Sequence, residues 1–357
     1  MYNNDRISLL RKLSLAFGPT GCEGNVGEII CEIAEKYCDL YATDRMGNFA
    51  FKLAPKIHTA HTKKIMISAH MDEVGMMISE IDSDGYLKFE TLGGIDKRVL
   101  CGRNVTIGDE NKKINGVIAS KAIHHQSSEE RKKATKISDM YIDIGAKDKE
   151  DAERYVDIGD FATFDSEFTL FGKDGRLVKS KALDDRMGCV VMLEAMRLIA
   201  ENNIEIEHEL YFCFTVREEV GLSGALTVAE IIKPDYALVL ECTAVADIEG
   251  VLPALRVADV SLGGVISIMD RSTIYNSKLV SYALDIAKRD GIKAQVKRYV
   301  SGGNDAGHIH KSGEGVKTLA ISIPTRYLHS PACVASLDDL DSVIDLTVAL
   351  LKAWKSV

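Results

Sequence analysis

The second half of the chain alternates short apolar runs with longer segments of helical periodicity, and this alternation constrains the fold more than any other feature. Apolar stripes at helical spacing cover residues 185–200, 222–232, 277–289 and 340–355. Between them lie strand-like apolar runs at residues 209–216, 236–240 and 318–323. Repeated strand–helix units place helices on both faces of a sheet. We therefore predict an α/β protein with a three-layer α/β/α domain.

The first half of the chain begins with the same pattern and then interrupts it. Residues 5–40 have helical spacing with a glycine-rich break at 18–21, and residues 64–69 form another short apolar strand. Residues 74–163 show short alternating runs separated by Asp-Gly, Gly-Gly and Gly-Asp turns, which is typical of a small β-rich domain. We therefore expect a domain formed by residues 1–73 and 164–357, with residues 74–163 inserted as a β-barrel-like unit.

Charge and cysteine content argue against several classes of protein. The 357 residues carry a formal net charge of −9, which disfavours a nucleic-acid-binding surface. No stretch of ~18 or more apolar residues could span a membrane, and the charged first ten residues do not resemble a signal peptide. The eight cysteines are scattered without a CxxC pair, as expected for reduced core residues of a cytoplasmic protein.

Polar residues stand where the predicted strands end or a helix begins, at five separate places in the chain. In open α/β sheets, ligands collect beyond the carboxyl ends of the strands. The residues at these positions are His70, Asp72, Asp184, Asp185, Glu218, Glu219, Glu241, Arg326 and His329. Two histidines among several carboxylates suit zinc, cobalt or manganese better than calcium. Together these residues predict a metal site at one edge of the sheet.

The residue types also indicate a division of roles within that site. Two metals need a bridging carboxylate, and Asp184 is suited to that position because its short side chain stands at a helix start. Asp72 is placed to orient His70 as an acceptor behind the metal. Of the adjacent Glu218 and Glu219, one can grip a metal while the other moves a proton. Each residue alone has a simpler explanation, such as a solvated strand end or a helix N-cap, so the inference depends on their combination.

Six short motifs occur in an order that resembles one enzyme family. They are SAHMDEVG at 68–75, ALDDR at 182–186, VREEVGLSGA at 216–225, MDRS at 269–272, NDAG at 304–307 and PTRYLHS at 324–330. Each motif is weak alone, but the set spans nearly the whole chain. The chain resembles metallopeptidase family 42, the TET-type di-metal aminopeptidases, a family that includes glutamyl aminopeptidases and cellulase M-like proteins.

The resemblance implies two metal sites that share one ligand. One metal would be held by His70, Asp184 and Glu241, and the other by Asp184, Glu219 and His329. The cofactors would be two divalent metal ions per subunit, with zinc or cobalt expected first and manganese as an alternative.

The resemblance also implies catalytic and substrate-binding roles. Glu218 would be the general base that takes a proton from the bridging water and passes it to the leaving amine, while Asp72 would orient His70. The substrate would be a peptide, contacted by Arg271, Asp305 and Arg326. The catalytic domain would have a mixed sheet of the zinc-peptidase type. The inserted β-rich domain would mediate dimerisation, with the dimers assembling into a hollow tetrahedral dodecamer.

Two positions depart from the family pattern and leave alternatives open. Glu241 stands where Asp is usual, and Asn304 stands where Thr is expected. Since the first position often varies with the substrate end that related di-metal peptidases recognise, a deacylase or carboxypeptidase remains an alternative. A glucanase is disfavoured because the histidines have no role in cleavage by two carboxylates and the chain has one tryptophan. A non-catalytic scaffold is disfavoured by the full set of metal ligands.

Overall fold

The computed structural model describes residues 2–109 and 111–354. Its helices are α1 (Tyr2–Leu15), α2 (Gly24–Ala34), α3 (Lys149–Ala152), α4 (Leu183–Glu201), α5 (Ser223–Ile232), α6 (Ser277–Asp290), α7 (Ala306–Ile309) and α8 (Leu337–Ala353). Its strands are β1 (Asp39–Thr43), β2 (Phe49–Leu53), β3 (Lys64–His70), β4 (Gly75–Ile81), β5 (Leu87–Leu92), β6 (Asn104–Gly108), β7 (Lys113–Ser120), β8 (Met140–Asp143), β9 (Phe161–Phe164), β10 (Thr169–Phe171), β11 (Leu177–Ser180), β12 (Glu209–Thr215), β13 (Tyr236–Ala244), β14 (Gly264–Ile266), β15 (Ala294–Val296), β16 (Lys317–Arg326) and β17 (Cys333–Ser336).

A mixed sheet forms the core of the larger domain. In the described part of the chain it has eleven strands, in the order β1-β2-β12-β3-β13-β16-β17-β11-β10, with β14 paired to β16 and β15 to β14. The central strands β12, β3, β13 and β16 are parallel, and the register sets Thr215 opposite His70 and Glu241 opposite Ser322. Parallel neighbours bring their carboxyl ends to one edge, so polar residues far apart in sequence meet there.

Helices cover this sheet because its central strands are apolar on both faces. From Ile65 to His70 every residue of β3 is buried, and β12, β13 and β16 are almost as fully buried. Such strands need cover on both sides. Helix α4 packs against β3, β13, α1 and α8, whereas α5 packs against β12, β3 and α7. The predicted α/β class is confirmed. Among the described residues, no helix has the length and apolar character needed to cross a membrane.

The β-rich part of the chain is a closed barrel with its own core. Its strands are arranged β4-β5-β8-β7-β6-β9 and run from Gly75 to Phe164. The barrel interior is filled by apolar side chains, among them Met76, Ile78, Phe89, Ile107 and Ile142. The chain enters the barrel directly after the β3 edge and returns to the sheet through β10. A role for the barrel in dimerisation stays a prediction.

A buried ionic cluster joins the barrel to the sheet domain. One oxygen of Glu73 lies 2.5 Å from Nζ of Lys181, and the other accepts a hydrogen bond from Thr163 Oγ1 on β9 (2.8 Å). The fully buried Arg186 guanidinium lies 3.5 Å from Glu73 and donates to the carbonyl oxygens of Met71 (2.7 Å) and Leu13 (2.5 Å). This guanidinium thus holds the segment after β3 against the end of α1.

Replacing Arg186 by Met should destabilise the protein strongly, because the carbonyl groups it satisfies would remain buried without a donor. Breaking a buried charged network typically costs about 3–5 kcal/mol. The measurement is the midpoint of urea unfolding at fixed protein concentration. Arg98→Met is the control, since Arg98 pairs with Asp96 at the exposed surface and its loss should leave the midpoint unchanged. Equal midpoints for Arg186→Met and the native protein would contradict this account.

Candidate active site

Five of the predicted ligands meet at the carboxyl edge of the parallel strands. Nε2 of His70 lies 3.1 Å from Glu241 Oε1 and 3.5 Å from Asp184 Oδ1. Nε2 of His329 lies 3.2 Å from Glu219 Oε1 and 3.4 Å from Asp184 Oδ2. Asp184 therefore faces one histidine with each of its carboxylate oxygens, which is the position of a bridging ligand. Glu241 lies within β13, which continues to Ala244, rather than just beyond a strand ending at residue 240.

The donor set fits divalent metal ions. Asp184 Oδ1, Glu219 Oε1 and both carboxylate oxygens of Glu241 are buried without a hydrogen-bond partner among the described residues. Ligand atoms of Asp184, Glu219 and His329 all lie within 4.8 Å of one another, and so do those of His70, Asp185 and Glu241. Buried oxygens without partners carry a large desolvation cost that cations would remove. Asp185, to which the sequence assigned no role, therefore lies beside the predicted ligands His70 and Glu241.

The pKa shifts at this edge of the sheet also indicate that bound cations would be stabilised there. Burial raises the pKa of Glu241 to about 8, against the lowering effect of His70. Burial alone would lower the pKa of His329, but the adjacent carboxylates of Asp184 and Glu219 raise it to about 12. The carboxylates thus favour a protonated imidazole at His329, and a bound divalent cation would supply that positive charge instead.

Several site residues have backbones in the left-handed region. Among the non-glycine residues described, Ala182, Arg217, Leu222, Tyr327 and His329 have φ between 51° and 59°. Each stands beside a ligand-bearing segment, and His329 is itself a candidate ligand. Such conformations cost free energy for residues with a Cβ atom and persist only where the surroundings enforce them. The segments therefore turn sharply enough to direct the side chains into the site.

Four consecutive backbone N–H groups hold the segment that carries Glu218 and Glu219. The amide of Val216 donates to Asn48 Oδ1 (3.0 Å), and that of Arg217 donates to Glu23 Oε1 (3.2 Å). The amides of Glu218 and Glu219 donate to the two oxygens of the Asp72 carboxylate, at 3.0 and 3.2 Å. We call the three acceptor side chains, Asn48, Glu23 and Asp72, the amide clamp. They come from the β1–β2 turn, the start of α2 and the end of β3, so three elements position one catalytic segment.

Asp72 also contacts His70, as its predicted role requires. Its Oδ1 lies 3.4 Å from Nδ1 of His70, and its backbone carbonyl oxygen lies 3.2 Å from the same nitrogen. Since Nε2 faces the carboxylates, a donor at Nδ1 leaves the Nε2 lone pair available for a metal. Asp72 therefore connects a candidate ligand to the segment bearing the candidate base.

The barrel contributes to the site through the loop after β5. The carbonyl oxygen of Gly94 accepts a hydrogen bond from Nδ1 of His329 (3.0 Å). Gly93 has φ +84° and packs so closely that a Cβ atom would lie 3.2 Å from Glu219 Oε2 and 2.8 Å from Val74. Both requirements select glycine at position 93. The adjacent glycines were visible in the sequence, but only as a turn.

The residues predicted to contact substrate each make separate contacts within the protein. Asp305 is buried and accepts from Thr215 Oγ1 (2.7 Å). Arg271 is exposed, and its amide donates to Gly302. Arg326 forms a two-point ion pair with Asp247, at 2.7 and 2.6 Å. None of the three is among the residues that line the cavity at the metal ligands. Their contact with substrate stays a prediction.

The fold and this cluster of histidines and carboxylates are typical of a metal-dependent hydrolase. The model of the M42 glutamyl aminopeptidase family matches residues 48–346. The chain belongs to the M42 glutamyl aminopeptidase family, which confirms the resemblance drawn from its motifs.

Solved structures and curated relatives agree with this membership. A TET aminopeptidase from a marine sediment archaeon of the Thaumarchaeota superposes with a TM-score of 0.95 at 37% identity, covering 99% of this chain and 98% of that one. The TET1 peptidase of Pyrococcus horikoshii, which can assemble into a tetrahedron or a large octahedral shell, gives 0.84 at 34% identity, with 97% and 99% covered. The lysyl aminopeptidase of Pyrococcus furiosus is 30% identical over 97% of each chain.

Loss of the Glu23 acceptor should slow turnover without releasing metal, because Glu23 holds the backbone beside Glu218 and approaches no candidate ligand within hydrogen-bonding distance. We expect Glu23→Ala to lower kcat about 10- to 100-fold, as misplacement of a reacting group does, with KM and bound metal unchanged. Glu23→Gln is the matched control, since its amide oxygen can still accept from Arg217. A similar fall in kcat for both variants, or none for Glu23→Ala, would argue against the clamp.

Proposed function

We propose that the chain removes N-terminal residues from peptides, using two divalent metal ions held by His70, Asp184, Glu219, Glu241 and His329. The proposal is carried by one observation: Asp184 stands between two histidine–carboxylate pairs and presents an oxygen to each. Membership of the M42 family supports both the peptide bond as the target and the requirement for divalent metal.

The ligand assignment follows the two clusters. His70, Asp184 and Glu241 would hold one ion, and Asp184, Glu219 and His329 the other. When bound, such a pair of ions lowers the pKa of a shared water and polarises the scissile carbonyl group. Imidazole and carboxylate donors favour zinc, cobalt or manganese, and we propose zinc or cobalt first.

Glu218 is the proposed general base. Its side chain lines a cavity of about 510 Å³ together with Asp184, Glu219, Glu241 and His329. Burial raises its pKa well above the usual range, and the charges of Glu241 and Glu219 raise it further, against the opposing charge of His70. Such a carboxylate is a good proton acceptor. It would take a proton from the attacking water and pass it to the leaving amine.

The adjacent glutamates should respond differently to substitution, because they have different proposed roles. We expect Glu218→Gln to keep both metals and lose about 10²–10⁴-fold in kcat. Glu219→Ala and His329→Ala should instead lose metal, measured by elemental analysis after dialysis. A Glu218→Gln variant with near-native turnover would remove Glu218 from this role, and full metal content in Glu219→Ala would remove Glu219 from the ligand set.

An aminopeptidase recognises the free amine of its substrate, whereas the deacylase and carboxypeptidase alternatives do not. This difference can be tested. We expect apo protein supplied with zinc, cobalt or manganese to release the first residue of free-amine peptides and of their C-terminal amides. N-acetylated peptides should remain intact, because their blocked amine cannot be recognised. Release of residues only from the carboxyl end, or cleavage of the acetyl group, would favour the alternatives that Glu241 suggested. Amino-acid analysis of the products makes the distinction.

Sugar cleavage has less support from this site. The single tryptophan, Trp354, is buried against Tyr236, with ring centroids 5.9 Å apart, so it offers no surface to a sugar. The two histidines at the carboxylates also suit metal binding, which cleavage by a pair of carboxylates does not require.

We also propose that the chain assembles through its barrel into dimers and then into a tetrahedral dodecamer in the cytoplasm. The assembly of the Pyrococcus horikoshii TET1 peptidase supports the closed oligomer. Exposed apolar side chains on the barrel segment, including Ile123, Tyr155 and Ile158, support its use as an interface. Eight free cysteines support a reducing compartment.

A further inference from the structure

The cavity beside the metal ligands is lined by Lys297, which forms no ion pair with any carboxylate among the described residues. Lys297 follows β15, and its backbone amide is fixed by a hydrogen bond to Ile266 O (2.9 Å). Its Nζ donates to the carbonyl oxygen of Ser301 (2.9 Å), which lines the same cavity. In the part of the chain that the structure describes, this carbonyl oxygen is the hydrogen-bond acceptor of the ammonium, and no carboxylate pairs with it. The side chain is only partly exposed, so water solvates the ammonium incompletely.

The two carboxylates whose charges act on this lysine have other partners. Asp270 accepts hydrogen bonds from the amides of Ser272 and Thr273, each at 2.8 Å, and from the hydroxyl of Tyr275 at 2.5 Å. Glu241 faces His70 and belongs to the proposed metal ligands. Both carboxylates act on Lys297 through their charge, but neither forms a hydrogen-bonded pair with it.

Lys297 also differs from the other charged residues of the cavity, because it is not one of the metal-site residues. Among the described residues that line the cavity, the charged groups are Asp184, Glu218, Glu219, Glu241, His329 and Lys297. The first five belong to the cluster that bound cations would neutralise. The remaining lining is neutral and includes Val245, Ile248 and Asn304. Lys297 is therefore the one cationic side chain outside the metal cluster among the described residues that line the cavity.

We infer that Lys297 is a specificity-determining residue that binds the carboxylate of an acidic first residue, aspartate or glutamate. This inference rests on the proposed function and goes beyond it, because relatives named for lysyl and for glutamyl substrates leave the preference of this chain undecided. The carboxylate of an acidic substrate side chain would form an ion pair with the ammonium of Lys297. A lysyl substrate would instead bring a second cation close to it, which is unfavourable. The backbone of Lys297 is held by Ile266, and its ammonium is held by Ser301. Substrate binding therefore costs little side-chain conformational entropy at this residue.

The test compares glutamyl and glutaminyl p-nitroanilides, which have nearly the same shape and differ in charge. We expect the native enzyme to favour the glutamyl compound in kcat/KM by at least about 30-fold, the lower range for a buried charge pair. Lys297→Met should bring that ratio close to one while leaving glutaminyl turnover within a few-fold. Lys288→Met, at an exposed position on α6, is the control and should keep the native ratio. A ratio unchanged by Lys297→Met would overturn the inference.

A second experiment tests whether Lys297 recognises the side-chain carboxylate of the first residue or the carboxylate at the C-terminus of a peptide. The anilides have no terminal carboxylate, whereas Ala-Ala has one and its amide does not. If Lys297→Met changes only the preference for Ala-Ala over its amide, the lysine recognises the peptide end and the inference fails.

A binding measurement makes the result independent of catalysis. Calorimetric titration of the zinc-loaded protein with glutamate and glutamine should show the same preference and its loss in Lys297→Met. If no anilide is cleaved, the proposed function fails. The titration then still decides the role of Lys297, since equal affinity for the two amino acids would overturn it.

Discussion

Repulsion among carboxylates is the constraint on which the structure of this site depends. Asp184, Glu218, Glu219 and Glu241 meet at one largely buried edge, where burial already disfavours their charged forms. Two imidazoles approach Asp184, Glu219 and Glu241 within 3.5 Å but cannot satisfy every oxygen. Such an arrangement is stable only if cations are bound or the scaffold holds the groups together. Two divalent ions would supply the missing charge, and the surrounding protein supplies the rigidity.

The rigidity comes from contacts that are themselves mostly polar and buried. The amide clamp fixes the segment of Glu218 and Glu219, while Gly94 of the barrel loop fixes the ring of His329. The Glu73–Lys181–Arg186 cluster holds the barrel against the sheet domain beside these contacts. The inserted barrel is therefore part of the active-site scaffold. A surface loop could not hold like charges together with the same precision.

Much of the sheet and the candidate site could be predicted because their signals are local. Apolar runs marked β3, β12, β13 and β16, and the ligand-type residues stood at or near their ends. The elements β1, β14 and β15 were missed because three to five residues make too short a pattern, and the residues of β1 and β15 are also partly or fully exposed. Arg326 was predicted as a substrate contact from its motif, yet its ion pair with Asp247 depends on a residue 79 positions away.

The sequence by itself determined the chemistry of this protein: an α/β sheet, two histidines and several carboxylates at strand ends, and the motifs of its family. These properties depend on residue type and short spacing, which the chain carries directly. Only the tertiary structure decided how the groups are held and which charge lies beside them. Asn48 meets Val216 across 168 positions, and Gly94 meets His329 across 235. Lys297 is distinctive because it forms no ion pair among the described residues although it lines the cavity of the metal ligands, and neither property has a local signal in the sequence.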